Sequence, residues 1–349
     1  MNPYGRCAST AISNTLHLSP VRRSTSVAVH KDRSCAVTGT DRSGDIDVPS
    51  FAVLTVSRRS SVPASGRGRP VRTLVITGGT QGIGRALALH YLSRGDQVIA
   101  VGTNQVKGEA LLTEADRLSA GDRCSFLSAD LSSPTMTIRL ADRLRTEHPR
   151  IDALVFGAFR YQTKRQETAE GIERTLALYV LSRYLLAEEL RTTLERAPHP
   201  VIVNLCGTGS RAGRLRWDDL QLRRRYRPFA ATMQGARAND LLGVAFTVEH
   251  PDSPVRYVLH NPLFVNTGLA EPFRQPTRTA VSIIAKLFAA PVDRAIQPIV
   301  ERIDTPPEPA LSAFQARRPI DVTGPGFDPG AARRLTITLR NLTINGAAA

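Results

Sequence analysis

Three glycines carry the clearest chemical signal in this chain of 349 residues. The run "TLVITGGTQGIGRALALHYL" sets Gly78, Gly82 and Gly84 between an apolar strand pattern and a helical one. There, Gly78 lets the chain turn sharply, Gly82 lets backbone N–H groups approach a diphosphate, and Gly84 permits close helix–strand contact. The helix that follows offers bare amide donors and a partial positive charge to phosphate oxygens. Glycines alone would say little; glycines between a strand and a helix form a dinucleotide-binding signature.

The spacing G-x-x-x-G-x-G after Thr77, in "TGGTQGIG", resembles the cofactor loop of the short-chain dehydrogenase/reductase family. The likeness runs through most of residues 72–340. "SADLSS" resembles the family's strand-three aspartate motif, which implies that Asp130 contacts the adenine amino group, with Leu131 beside it. "NPLFVNTGL" resembles a segment that implies Pro262 and Thr267 beside the nicotinamide amide. The resemblance also implies cofactor contacts for Thr77, Gly78, Gly82, Ile83, Gly84, Thr103, Asn104 and Ala158. "GRLRWDDLQLRRRYRPFAATMQGARANDLL" is similar to the retinol-dehydrogenase-like branch. That likeness implies an NAD(P)-dependent oxidoreductase acting on a small to medium apolar carbonyl or alcohol, or on an activated double bond. It also implies a homodimer or homotetramer.

The nucleotide is read from the end of the second strand. An acid there would bond a ribose 2′-OH and select NAD. "AVGTNQVKG" holds none, which favours NADP over NAD, with Thr103 where the related branch has arginine. Asn104, Lys107 and Arg85 are candidates for a 2′-phosphate.

Hydride addition to a carbonyl leaves an alkoxide that needs a proton from a group of suitable pKa within reach. The family's Tyr and Lys fall on Thr232 and Ala236, its Ser pair on Cys206 and Gly207, and its helix-four Asn on Tyr179. Four positions differ together, so no slip of register restores them. Thr232, an aliphatic hydroxyl with no adjacent cation, is too weak an acid. Arg237 is a fixed cation rather than a proton carrier. Tyr179, Thr208 and Tyr226 are the candidate replacements, with Ser210 near Thr208 and with Tyr161 and Lys164 in the loop after strand four. Each also reads as an ordinary core or loop residue, and His260 as structural. Two function classes follow: an oxidoreductase with an atypical proton donor, or a catalytically silent nucleotide-binding sensor or scaffold.

These groups need a scaffold, and the chain supplies one. Continuous apolar runs at 73–79, 97–103, 124–130, 152–158, 200–206 and 255–261 alternate with segments of helical period. That pattern predicts a doubly wound parallel sheet, a Rossmann-type α/β domain over 71–349. Residues 1–70 are Ser/Arg-rich and aperiodic and read as a disordered extension, a transit peptide being the alternative. The formal charge of +15 comes largely from arginine, which supplies 42 of the 46 basic residues. They are scattered rather than massed with aromatics, which argues against nucleic acid as a partner. Cys7, Cys35, Cys124 and Cys206 show neither disulfide nor zinc spacing. No apolar run is long enough to span a bilayer, and a cytoplasmic protein with a small-molecule substrate is expected.

Overall fold

The computed structural model describes residues 70–210, 212–263 and 291–346. The predicted extension (Pro70 apart), Thr267 and the amphipathic stretch after it lie outside these residues.

Six strands form where the apolar runs lie: β1 (Thr73–Thr77), β2 (Gln97–Gly102), β3 (Cys124–Ser128), β4 (Ala153–Phe156), β5 (Val201–Leu205) and β6 (Arg256–Asn261). All six are parallel neighbours in the order β3-β2-β1-β4-β5-β6. Their side chains are apolar on both faces because both faces are covered. Leu74 and Ile76 of β1 point to one core, and Val75 to the other. The first core is closed by α1 (Gly82–Ser93), α2 (Gln105–Arg117) and α7 (Val292–Asp304). The second is closed by α3 (Pro134–Glu147), α5 (Ser182–Leu194), α6 (Pro228–Glu249) and α8 (Pro329–Gly346). A short α4 (Arg174–Leu176) and a π-helical turn (Ala177–Leu181) lead directly into α5.

The sheet is longer than the sequence pattern foretells. β7 (Leu311–Gln315) continues it in parallel, and β8 (Arg318–Ile320) closes the edge antiparallel to β7. The wholly parallel sheet expected from sequence is therefore mixed at one edge. Three residues with Arg318 and Pro319 leave no apolar alternation to read, and an edge tolerates the proline's missing N–H. Strand order reverses between β1 and β4, so the crevice for a ligand opens beyond the carboxyl ends of those strands. Among the described residues, no helix is long and apolar enough to cross a membrane.

Candidate active site

The glycine loop fits a diphosphate. Gly78 and Gly82 take φ of +68° and +54°, a region open to glycine at no steric cost. A Cβ on Gly78 would stand 2.9 Å from the backbone of Gly157 and Ala158, and one on Gly84 would stand 2.3 Å from the Gly78 carbonyl oxygen. The Gln81 side chain, just before α1, accepts no capping bond from the helix, so the first amides keep their capacity for an anion. Ile83 is buried behind the loop. Thr77 locks the loop to the end of β4: its Oγ1 donates to the Val155 carbonyl at 3.3 Å and accepts from Gly157 N at 3.1 Å and Ala158 N at 3.3 Å.

The adenosine end is polar and already partly occupied by protein contacts. Asp130 accepts from Ser132 N at 2.9 Å and Ser132 Oγ at 2.7 Å, and pairs with Arg174 at 3.1 Å. Leu131 is buried next to it. Thr103 is exposed, and Asn104 caps α2 by accepting from Lys107 N at 2.9 Å. Lys107 donates to Gln81, and Arg85 pairs with Glu114. Both cations proposed for a 2′-phosphate thus stand beside the loop but hold protein partners. Pro262 lies just beyond β6.

Beyond β4 and β5, a π-helical turn packs against α6 and the end of β5. The π-helical turn carries Tyr179, and its wider winding appears as Ser182 N bonding the Ala177 carbonyl five residues back. The Tyr179 ring packs against α6 at Gly235, where an added Cβ would meet the ring at 2.5 Å. Its hydroxyl accepts from Gly207 N at 3.0 Å. Gly207 and Ala236 face each other so closely that a Cβ on Gly207 would sit 3.0 Å from the Ala236 Cβ. Tyr179 therefore packs against both the segment after β5 that carries Gly207 and the α6 turn that carries Gly235 and Ala236. It is 5% exposed, and burial with the neighbouring Cys206 raises its pKa against the opposing pull of Arg183. Phe159 packs edge-on against it at 4.8 Å.

Sequence reasoning missed Arg183. It is 2% exposed, its guanidinium lies 4.5 Å from the Tyr179 ring centroid, and its pKa is lowered by burial. It donates to the Leu205 carbonyl at 2.9 Å, the Ala158 carbonyl at 3.0 Å and the amide oxygens of Asn204 and Asn239. No carboxylate among the described residues forms an ion pair with it. Asn239 completes the network by donating to the Tyr179 and Gly235 carbonyls at 2.8 Å each. A fixed positive charge thus sits under the carboxyl ends of β4 and β5, held by neutral oxygens alone.

The other candidates separate. Thr232 donates back to the Pro228 carbonyl one turn earlier in its own helix, at 3.1 Å. The Tyr226 hydroxyl donates to the Gln162 carbonyl at 3.2 Å and lies 3.5 Å from Thr175 Oγ1, at the start of α4 rather than at Gly207. Tyr161 and Lys164 stay in the loop after β4. Thr208 is buried at the β5 end. His260 is sealed with both ring nitrogens lacking a bond, and burial pushes it down to about 3, so it is a neutral core residue.

Comparison with known proteins agrees with this fold. The family model for short chain dehydrogenases matches residues 72–218. A Streptomyces sp. (strain C5) protein named "Putative daunorubicin C-13 ketoreductase" is 30% identical over 280 residues, covering 77% of this chain and 91% of that one. Human polyprenol dehydrogenase is 29% identical over 174 residues, covering 49% of this chain and 53% of its own. The NADPH-bound carbonyl reductase from chicken fatty liver shares the fold with a TM-score of 0.54 at 14% identity, over 72% of this chain and 98% of that one. The glycine cradle, the strand order and a full-length relative converge: the chain belongs to the short-chain dehydrogenase family of NAD(P)-binding oxidoreductases.

Proposed function

We propose that the chain is an NADP(H)-dependent oxidoreductase of a small to medium apolar carbonyl or alcohol, or of an activated double bond, with an atypical proton donor. The uncapped amino end of α1 behind Gly78, Gly82 and Gly84 is the observation that carries this reading. A bound nicotinamide dinucleotide supplies the hydride. The chain's own residues do the rest. The glycine loop holds the diphosphate, Asp130 and Leu131 border the adenine, and Ala158 and Pro262 border the nicotinamide. NADP rather than NAD rests on the missing acid at the end of β2, with Lys107 and Arg85 close by. The ketoreductase and polyprenol dehydrogenase names of the relatives support an apolar carbonyl or alcohol as substrate.

Tyr179 and Thr208, both near the end of β5, are the candidate proton donors in this reading. The Tyr179 oxygen accepts one bond from Gly207 and retains a proton to give. A catalytically silent nucleotide-binding protein is the second reading, favoured by the Tyr179 ring lying sealed against Gly235. Incubating the full chain with NADPH and a panel of apolar ketones and aldehydes, and following cofactor oxidation, separates the two. Slow turnover supports the oxidoreductase. Tight NADPH binding with no turnover on any member of the panel supports the silent protein.

A further inference from the structure

A cavity of about 620 Å³ shares no residue with the glycine loop. It is bounded by the segment after β5 that carries Arg214, Arg216 and Trp217, by α6 at Ala230 and Gln234, and by α8 at Arg334. Gln234 and Ala236 are two residues apart, which sets them about 200° apart around the axis of α6. Ala236 is the residue that meets Gly207 at the end of β5. The cavity therefore lies on the opposite side of the helix from that contact. Its size falls within the range of small-molecule sites.

A buried amide holds this wall in shape. Gln234 is 5% exposed and uses both ends of its side chain on the segment: Oε1 accepts from Arg216 N at 3.0 Å, and Nε2 donates to the Leu220 carbonyl at 2.8 Å. Trp217 lies between those two anchors, and its partly buried side chain packs against the core. The Arg334 guanidinium sits 4.5 Å from the Trp217 ring centroid. A guanidinium over an aromatic face keeps the N–H donors along its edge. Among the described residues, none forms a hydrogen bond or ion pair with the guanidinium of Arg214, Arg216 or Arg334. Arg237, close by on α6, shows the contrast: it pairs with the buried Asp240 at 3.0 Å and donates to the Ser210 carbonyl at 2.9 Å. Asp218, the one carboxylate on the wall, is 81% exposed and stands 4.0 Å from Arg224.

Three guanidiniums against one carboxylate leave a positive field over a cleft with apolar walls, and such a field concentrates anions. Each guanidinium offers paired donors that match the two oxygens of a carboxylate. Trp217 and Leu215 offer the apolar surface for a hydrocarbon body. We propose that this cavity is a second ligand site, one that binds an apolar carboxylate. The hydrocarbon lies against Trp217 and Leu215, and the charge is met by Arg214, Arg216 and Arg334. The site needs neither a bound dinucleotide nor hydride chemistry, so it stands apart from the oxidoreductase reading.

Trp217 is the sole tryptophan of the chain, so its emission reports on this cavity. The test titrates the full chain with cyclohexanecarboxylate and, separately, with the neutral cyclohexanecarboxamide, neither of which absorbs where indole is excited. A saturable change in Trp217 emission is expected with the carboxylate, and binding of the carboxamide should be at least roughly tenfold weaker. R334Q and the double variant R214Q/R216Q should each weaken carboxylate binding about tenfold, with unfolding midpoints unchanged because all three positions are exposed. Calorimetry in saturating NADPH should give a carboxylate affinity within about twofold of that without it, since the two sites share no residue. No change at millimolar carboxylate overturns the proposal. So does equal binding of the carboxamide, undiminished binding in both arginine variants, or displacement by NADPH. Carboxylate binding by a chain that takes up no NADPH would keep this site and remove the oxidoreductase reading.

Discussion

At Gly84 a single methyl group would stand 2.3 Å from the Gly78 carbonyl oxygen, well inside contact distance. Gly84→Ala therefore has to push the loop off α1, and NADPH affinity measured by fluorescence titration should weaken at least roughly tenfold, or about 1.4 kcal/mol. Tyr179→Phe removes the only acceptor shown for Gly207 N. The stranded amide should cost about 1–3 kcal/mol in denaturant unfolding. If Tyr179 also gave the proton, the ketone reduction rate would fall far beyond that effect; if Thr208 gives it, the rate holds. The glycines were legible because their chemistry is local: spacing, strand before, helix after. Arg183 and Asp240 were not. Each reads in sequence as a charge on a helix, and only tertiary packing puts it under the ends of β4 and β5.

α6 and the π-helical turn form one coupled unit. Gly235 gives the Tyr179 ring its place, and Asn239 bonds the carbonyl of Tyr179 across the gap. An exposed helical Gly→Ala change would gain about 1 kcal/mol in helix propensity. Here the new methyl meets the ring at 2.5 Å. Gly235→Ala should therefore destabilise by about 1–3 kcal/mol, as overpacking does, and a lowered denaturant midpoint would report it. Six strands were readable because continuous apolar runs are what a doubly covered parallel sheet demands. β7 and β8 escaped because an edge hairpin of five and three residues needs little apolar pattern. The π-helical turn left no local sequence signal either, since its extra residue is accommodated by Asn239 on another helix.

Asp240 also links the interior to the stability of the folded chain. Its carboxyl sits at about 6 when folded, against an ordinary 3.8, so the folded state holds the proton more tightly than the unfolded one. The contribution is fully present below about pH 4 and is lost as pH rises through 6. The wild type should therefore lose about 2 kcal/mol relative to Asp240→Asn between pH 4 and pH 7 in parallel urea titrations. Parallel curves for the two proteins would mean that the carboxyl is not sealed. On the same scale, the mixed edge of the sheet leaves the ligand crevice where strand order reverses, between β1 and β4. Titrating the full chain with NADPH and with NADH, while following Trp217 emission and the melting temperature, tests most directly whether that crevice holds a dinucleotide. A saturable change with NADPH, stronger than with NADH, is expected. No change with either at millimolar concentration would contradict a working glycine cradle, whatever the reaction.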